Sequence, residues 1–207
     1  MMQALLMVLA GYLCGSLLST RLYSILFHKS DPAASSDDGN PGVFNAFSHG
    51  GFACGLFCLA FDLLKGFAPV MLYLSLIEEP VLSDYLGLMM AAPVYGHVYP
   101  FFHHFHGGKG ITTTFGVLLA LWAGGISPIP VWALAILFIL LRVIIHISPD
   151  LYMTAAVYIL LPIVCLQFNV ARPVLIGLLM ISTGVLVRLA LSREARPALE
   201  VKPIWKH

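Results

Sequence analysis

The chain has 207 residues, of which 59% are hydrophobic and only 10% charged, with a formal net charge of +1 at neutral pH. Soluble domains carry about 25% charged residues, so this composition cannot clothe a water-facing surface and excludes a soluble globular protein. The near-zero net charge likewise gives nucleic-acid binding no electrostatic support. Lipid must therefore solvate much of the chain. A spanning helix takes about 20 apolar residues, so the length allows about seven. The expectation is an all-α, polytopic integral membrane protein. Residues 1–207 form one membrane-embedded domain with polar loops at 28–51 and 99–110.

The first predicted span covers residues 3–27 and carries Gly11, Gly15, Ser16 and Ser19, small residues that let helices approach closely in lipid. It has neither a basic start nor a clear cleavage site, and reads as a retained span rather than a signal peptide. The polar stretch 28–51 contains Pro32, Asp37, Gly39, Asn40, Pro41 and Gly42, which forbid a continuous helix. Span two is 52–76 and holds Asp62 and Lys65. An acidic loop with Glu78, Glu79 and Asp84 follows. Span three is 85–99, and a His- and Gly-rich island from Gly96 to Gly110 comes next. Spans four to seven are predicted at 111–123, 130–147, 151–168 and 173–191, before a basic tail.

The positive-inside rule favours an outside N-terminus and a cytoplasmic C-terminus. Lys29, Lys109, Arg142, Arg188, Arg193, Arg196, Lys202 and Lys206 then share the cytoplasmic side with Arg21, while Arg172 and the acidic loop lie outside. Both polar islands face the cytoplasm in this orientation. The cysteines Cys14, Cys54, Cys58 and Cys165 all sit in apolar runs. They read as small packing residues rather than as a zinc site or disulfide framework.

Gly107-Gly108-Lys109-Gly110 opens span four. Glycines let backbone N–H groups approach an anion, a helix N-terminus adds partial positive charge, and a lysine adds a full one. That is the logic of a phosphate cradle, although the spacing is not a Walker A motif. The same residues also suit a membrane-edge turn with a snorkelling lysine. Asp37 to Asn45 is a second candidate loop, able to present amides from Gly39, Asn40, Gly42 and Asn45 to a polar ligand, or an ordinary inter-span connection. Asp62 and Lys65, three apart within a span, are either functional or an ion pair that makes their burial tolerable. His97, His103, His104 and His106 lack an accompanying carboxylate or cysteine and a regular ligand spacing, so no metal is expected there. His97 reads as a turn-orienting residue. Neither an H-x-x-x-x-D dyad nor a G-x-S-x-G elbow is present.

Taken together these pieces resemble one family. Gly15-Ser16 comes first, then Gly39-Asn40-Pro41-Gly42 with Asn45, similar to a G-S-G-N-P-G-A-T-N loop. Asp62-Leu63-Leu64-Lys65-Gly66 is similar to D-x-x-K-G. Gly96-His97-Val98-Tyr99-Pro100, with Phe105 and Gly107 to Gly110, is similar to G-H-x-x-P…F-x-G-G-K-G. Thr112 to Thr114 stand where a small and hydroxyl pair is found. The chain thereby resembles the bacterial acyl-phosphate-dependent glycerol-3-phosphate acyltransferases of the PlsY type, over most of its first 116 residues.

The resemblance implies seven helices in the bacterial cell membrane with the active site at the cytoplasmic face. It implies transfer of a fatty acyl group from acyl phosphate to glycerol 3-phosphate, giving lysophosphatidic acid for phospholipid biosynthesis. A substrate phosphate would accept the hydroxyl proton. Carried over, Lys109 and Asn45 are catalytic, and Gly39, Asn40, Gly42, Asp62, Lys65, His97, Gly107, Gly108, Gly110 and Thr113 bind substrate. The implied partners are acyl phosphate, glycerol 3-phosphate and membrane lipid, with no metal and no cofactor. Departures stand beside the match. Asp38 replaces a family Ser, Phe44 a Thr and Ser48 a phosphate-contacting Arg, and Ser192 and Ala195 fall where the family has H-x-x-N. These leave two alternatives open: a divergent relative with another, less anionic acyl acceptor, or a non-catalytic protein that binds lipid or a partner. A transporter has less support, since no inverted repeat is visible.

Overall fold

The computed structural model describes residues 2–36, 38–78, 85–192 and 198–203. Asp37, Glu79, Asp84, Arg193, Ala195, Arg196 and Lys206 of the sequence reading lie outside the described residues. Among the described residues eight α-helices follow in order: α1 Met2–Gly15, α2 Ser19–Phe27, α3 Val43–Leu76, α4 Leu86–Val98, α5 Ile111–Ala123, α6 Ile129–Ile139, α7 Asp150–Gln167 and α8 Arg172–Leu191. A π-helical turn, Leu140–Ile144, prolongs α6. Two short strands, β1 Ile147–Ser148 and β2 Glu200–Val201, pair antiparallel with Ile147 opposite Val201.

By length and apolarity α3, α7 and α8 can each cross a membrane. The pair α1 and α2, bent by 58° at a short break, makes a fourth candidate. The helices α4 and α5, 13 residues each, reach only about 20 Å at 1.5 Å per residue. The expected continuous first span is thus corrected to two helices. Its hydropathy is unbroken, but past Ser16 the backbone leaves the helix and the Leu17 carbonyl takes a tertiary donor, Lys65 Nζ, instead. The expected loop 28–51 is also shortened, because α3 starts at Val43 and absorbs a kink at Gly51 (φ 83°). Gly51 takes the positive φ that other residues resist, so helix can resume on both sides of it.

The core is built around α4. All of its residues except Leu88 and Tyr95 are buried. Met89, Met90 and Val94 of α4 pack with Val117, Leu118 and Leu121 of α5, Val157 and Leu161 of α7, and Leu178 and Ile181 of α8. The opposite faces expose Leu6, Leu9, Phe52, Ile136, Ile163 and Leu179, as a lipid-solvated surface requires. Two crossings bring backbones into direct contact. A Cβ at Gly15 would overlap the Pro93 carbonyl, and one at Gly96 would overlap the Tyr12 carbonyl, so α1 and α4 close on each other through this glycine pair. Gly66 faces the Thr113 carbonyl and Gly116 the Leu63 carbonyl in the same manner, which closes α3 on α5. Small residues at helix contacts are what membrane packing rewards, since lipid leaves helices no hydrophobic reason to associate.

Candidate active site

These crossings carry the two polar islands to one end of the bundle. The loop before α3 supplies Asp38 and Asn40, the first turn of α3 supplies Asn45, and the loop between α4 and α5 supplies Lys109. Lys109 Nζ lies 3.1 Å from Asp38 Oδ2. Asn45 Nδ2 donates to Asp38 Oδ1 at 2.7 Å and to the Asn40 carbonyl at 2.8 Å. The Asn40 backbone N–H donates to the same Asp38 Oδ1 at 3.1 Å. One carboxylate therefore joins residues 71 positions apart. Burial opposes its ionisation, but the bonds from Asn40 and Asn45 and the Lys109 charge outweigh it and hold the Asp38 carboxyl below its ordinary value of 3.8. The Lys109 side chain is only 12% exposed.

The glycine loop is pinned from three sides. Gly108 N–H donates to the His97 carbonyl at 3.1 Å. Arg188, in the last turn of α8, donates from Nη2 to the Gly107 carbonyl at 3.3 Å. Gly110 adopts the left-handed conformation (φ 78°) and turns the chain into α5. No side chain fits at the first two positions, since a Cβ at Gly107 would overlap the His97 carbonyl and one at Gly108 the His97 ring. Past the loop, Thr114 N–H closes the first helical bond to the Gly110 carbonyl at 2.9 Å. The N–H groups of the preceding first turn have no intrahelical acceptor and carry the positive end of the helix dipole toward Lys109.

Beneath this open layer lies a closed one. Lys65 Nζ sits 2.8 Å from Asp62 Oδ1, with both side chains only 1% exposed. His97 Nδ1 lies 3.8 Å from the same oxygen. Lys65 Nζ also donates to the Leu17 carbonyl at 2.9 Å, which is the group freed by the break between α1 and α2. On the other side of the break Ser16 Oγ donates to the Tyr12 carbonyl at 2.9 Å and accepts from Phe101 N–H at 3.2 Å. Tyr12 Oη donates to the Tyr99 carbonyl at 2.8 Å. The broken helix is thus tied to α3 and to the start of the second island by its own polar groups.

Of the residues singled out in the sequence, Gly39, Asn40, Gly42, Asn45, Gly107, Gly108, Lys109 and Gly110 belong to the open layer or its rim. Asp62, Lys65, His97 and Thr113 are buried below it. Thr113 presents its carbonyl to Gly66, while its neighbour Thr114 Oγ1 donates to the Gly110 carbonyl and pairs with Tyr158 Oη at 2.8 Å. His103 lies in the island near Arg21; burial and the Arg21 charge push its imidazole below the ordinary 6.5. Three participants escaped the sequence reading. In the sequence Asp38 stands only as a departure from a family Ser. Arg188 counted for orientation only, and its 81-residue distance from Gly107 gives no sequence signal. Tyr12 was hidden in an apolar run. Phe44, where a Thr was expected, lies under Arg142, whose guanidinium carbon is 5.6 Å from the ring centroid and whose Nη1 is 3.2 Å from Asp150 Oδ1.

Comparison with known proteins gives the same reading. A profile of the glycerol-3-phosphate acyltransferase family matches residues 5–194. The glycerol-3-phosphate acyltransferase of Pectobacterium carotovorum (strain PC1) is 44% identical over 115 residues, 56% of this chain and 53% of that protein. That of Erwinia tasmaniensis is 45% identical over 115 residues, 56% of this chain and 54% of its own. These alignments span about half the length of the curated relatives. The crystal structure of PlsY, an integral membrane glycerol 3-phosphate acyltransferase, aligns in its glycerol 3-phosphate form with a TM-score of 0.74 and 25% identity, over 95% of this chain and 96% of that one. Its lysophosphatidic acid form aligns with a TM-score of 0.73 and 26% identity, over 90% and 87%. With the helices, the two loops and nearly the whole length accounted for, the chain belongs to the glycerol-3-phosphate acyltransferase family.

Proposed function

We propose that this protein transfers a fatty acyl group from acyl phosphate to the sn-1 hydroxyl of glycerol 3-phosphate, releasing lysophosphatidic acid and inorganic phosphate. The observation that carries the reading is the meeting of Lys109 and its glycine loop with Asn40 and Asn45 at one end of an apolar bundle. Such a site can hold a phosphate while the acyl chain stays among the helices. The acceptor oxygen attacks the acyl carbonyl carbon, and the bond from that carbon to the phosphate oxygen breaks. The hydroxyl proton passes to a phosphate oxygen. No cofactor is required, because the mixed anhydride already carries the activation. Lys109 and the N–H groups at the start of α5 stabilise the charge that develops on the phosphate and the tetrahedral oxyanion. Asn45, Asn40, Gly39 and Gly42 order the opposite rim. Asp62, Lys65, His97 and Thr113 serve by positioning, beneath the substrate.

The reading extends to the membrane. We place the site at the cytoplasmic face of the bacterial cell membrane, with seven crossings and the N-terminus outside. Arg21, Lys109, Arg142 and Arg188 gather at the site's end of the bundle, as the positive-inside rule asks. The test is acyl transfer from palmitoyl phosphate by the purified protein in lipid, with glycerol 3-phosphate as acceptor. Lysophosphatidic acid as product supports the assignment. Phosphate release without that product points to another acceptor, and inactivity of a well-folded sample overturns the assignment.

A further inference from the structure

The Asp38 carboxylate occupies the cradle that a phosphate would need. Its two oxygens take the Lys109 ammonium, the Asn45 amide and the Asn40 N–H, at 3.1, 2.7 and 3.1 Å. These are the cation, the side-chain donor and the backbone donor with which the two islands would otherwise meet an anionic ligand. A carboxylate and a phosphate oxygen make the same demands on such donors, so both cannot be served at once.

We propose that Asp38 is a specificity-determining residue: an internal anion that competes with phosphate for the cradle and must swing out before a phosphorylated substrate is bound. The proposal rests on the reading of the cradle as a phosphate site. Three features support it beyond the contact distances. Asp38 lies in a loop between a short 3-10 turn, Pro32–Ser35, and the start of α3, so its release requires no helix to move. Its side chain remains 29% exposed, which leaves a path into solvent. Its carboxyl is held below the ordinary range, so it is an anion at neutral pH, as phosphate is. A cradle closed by its own anion binds with an affinity reduced by the fraction of time it stands open. A dianionic acceptor is penalised twice, by that closure and by the displaced charge nearby. A neutral hydroxyl acceptor escapes the second penalty, while the acyl phosphate donor still meets the first.

The experiment titrates inorganic phosphate and glycerol 3-phosphate into the full-length protein in lipid nanodiscs, with Asp38→Asn and Asp38→Ser beside the wild type. Asp38→Asn keeps the shape and an acceptor for Asn45 and Asn40 while removing the charge. Asp38→Ser removes the reach into the cradle altogether. The expected result is a dissociation constant for both ligands lower by about tenfold or more in each variant, and for glycerol 3-phosphate turnover a lower KM. Equal or weaker binding by a folded variant overturns the proposal and leaves the phosphate cradle standing. Failure of the wild type and both variants to bind phosphate at all overturns the cradle as well.

Discussion

The polar groups of this protein stand in two layers that use the same residue types to different ends. In the open layer Lys109 pairs with Asp38 at 3.1 Å, with side chains 12% and 29% exposed. In the closed layer Lys65 pairs with Asp62 at 2.8 Å, with both at 1%. A partly open pair between two loops can be exchanged for a ligand, because water and the ligand can take over each partner's bonds. A pair sealed between helices cannot, since separating it strands a charge in a medium of low dielectric. The lower pair also accounts for the break in the first span: Lys65 reaches the Leu17 carbonyl that the break exposes. On the proposed function, chemistry belongs to the upper layer and architecture to the lower.

Breaking the lower layer has the largest expected effect. Lys65→Ala leaves Asp62 buried without its cation and the Leu17 carbonyl without its donor. A loss of about 3–5 kcal/mol is expected, read as a collapse of thermal unfolding temperature in detergent. Next comes Lys109→Ala, which leaves the helices packed but removes the cation from the cradle. Turnover should fall by about a hundredfold or more, the scale seen when one preorganised charge-stabilising group is lost. Gly66→Ala drives a methyl into the Thr113 carbonyl and forces α3 from α5; a destabilisation of about 1–3 kcal/mol by overpacking would be seen in chemical denaturation. Ser16→Ala removes the acceptor of Phe101 N–H and should cost about 1 kcal/mol, with activity reduced through the island it steadies. The smallest effect is set by pH. The Asp38 carboxyl is depressed in the folded protein, so its stabilising contribution is fully present above its ordinary 3.8 and is lost as pH falls through the lower folded value. The difference in unfolding temperature between wild type and Asp38→Asn should therefore hold steady from neutral pH to about 5 and shrink only in stronger acid.

Much of the bundle was legible because hydropathy and turn residues agree. The predicted span 111–123 is α5, Ile111–Ala123, bounded by Gly110 and Gly124. Residues 173–191 differ from α8, Arg172–Leu191, by one position, with Pro173 in the first turn of the helix. The break at Ser16 to Leu18 was not legible. Leucines and a serine there fit a helix well, and the partners that make the break stable, Lys65 and Phe101, lie 48 and 85 residues away. The start of α3 was missed for the opposite reason. Gly50 and Gly51 read as loop, yet one positive φ at Gly51 lets helix stand on both sides. In the site, Lys109 and Asn45 were visible from local chemistry. Their shared carboxylate was visible only as an odd residue, because no local rule joins position 38 to position 109.

The division into two layers is tested most directly by measuring acyl transfer and thermal unfolding side by side for the wild type, Lys109→Ala and Lys65→Ala in the same lipid. Lys109→Ala should lose transfer from palmitoyl phosphate to glycerol 3-phosphate while unfolding at nearly the wild-type temperature, and Lys65→Ala should lose its unfolding temperature first. Wild-type turnover retained by Lys109→Ala, or wild-type stability retained by Lys65→Ala, would contradict it.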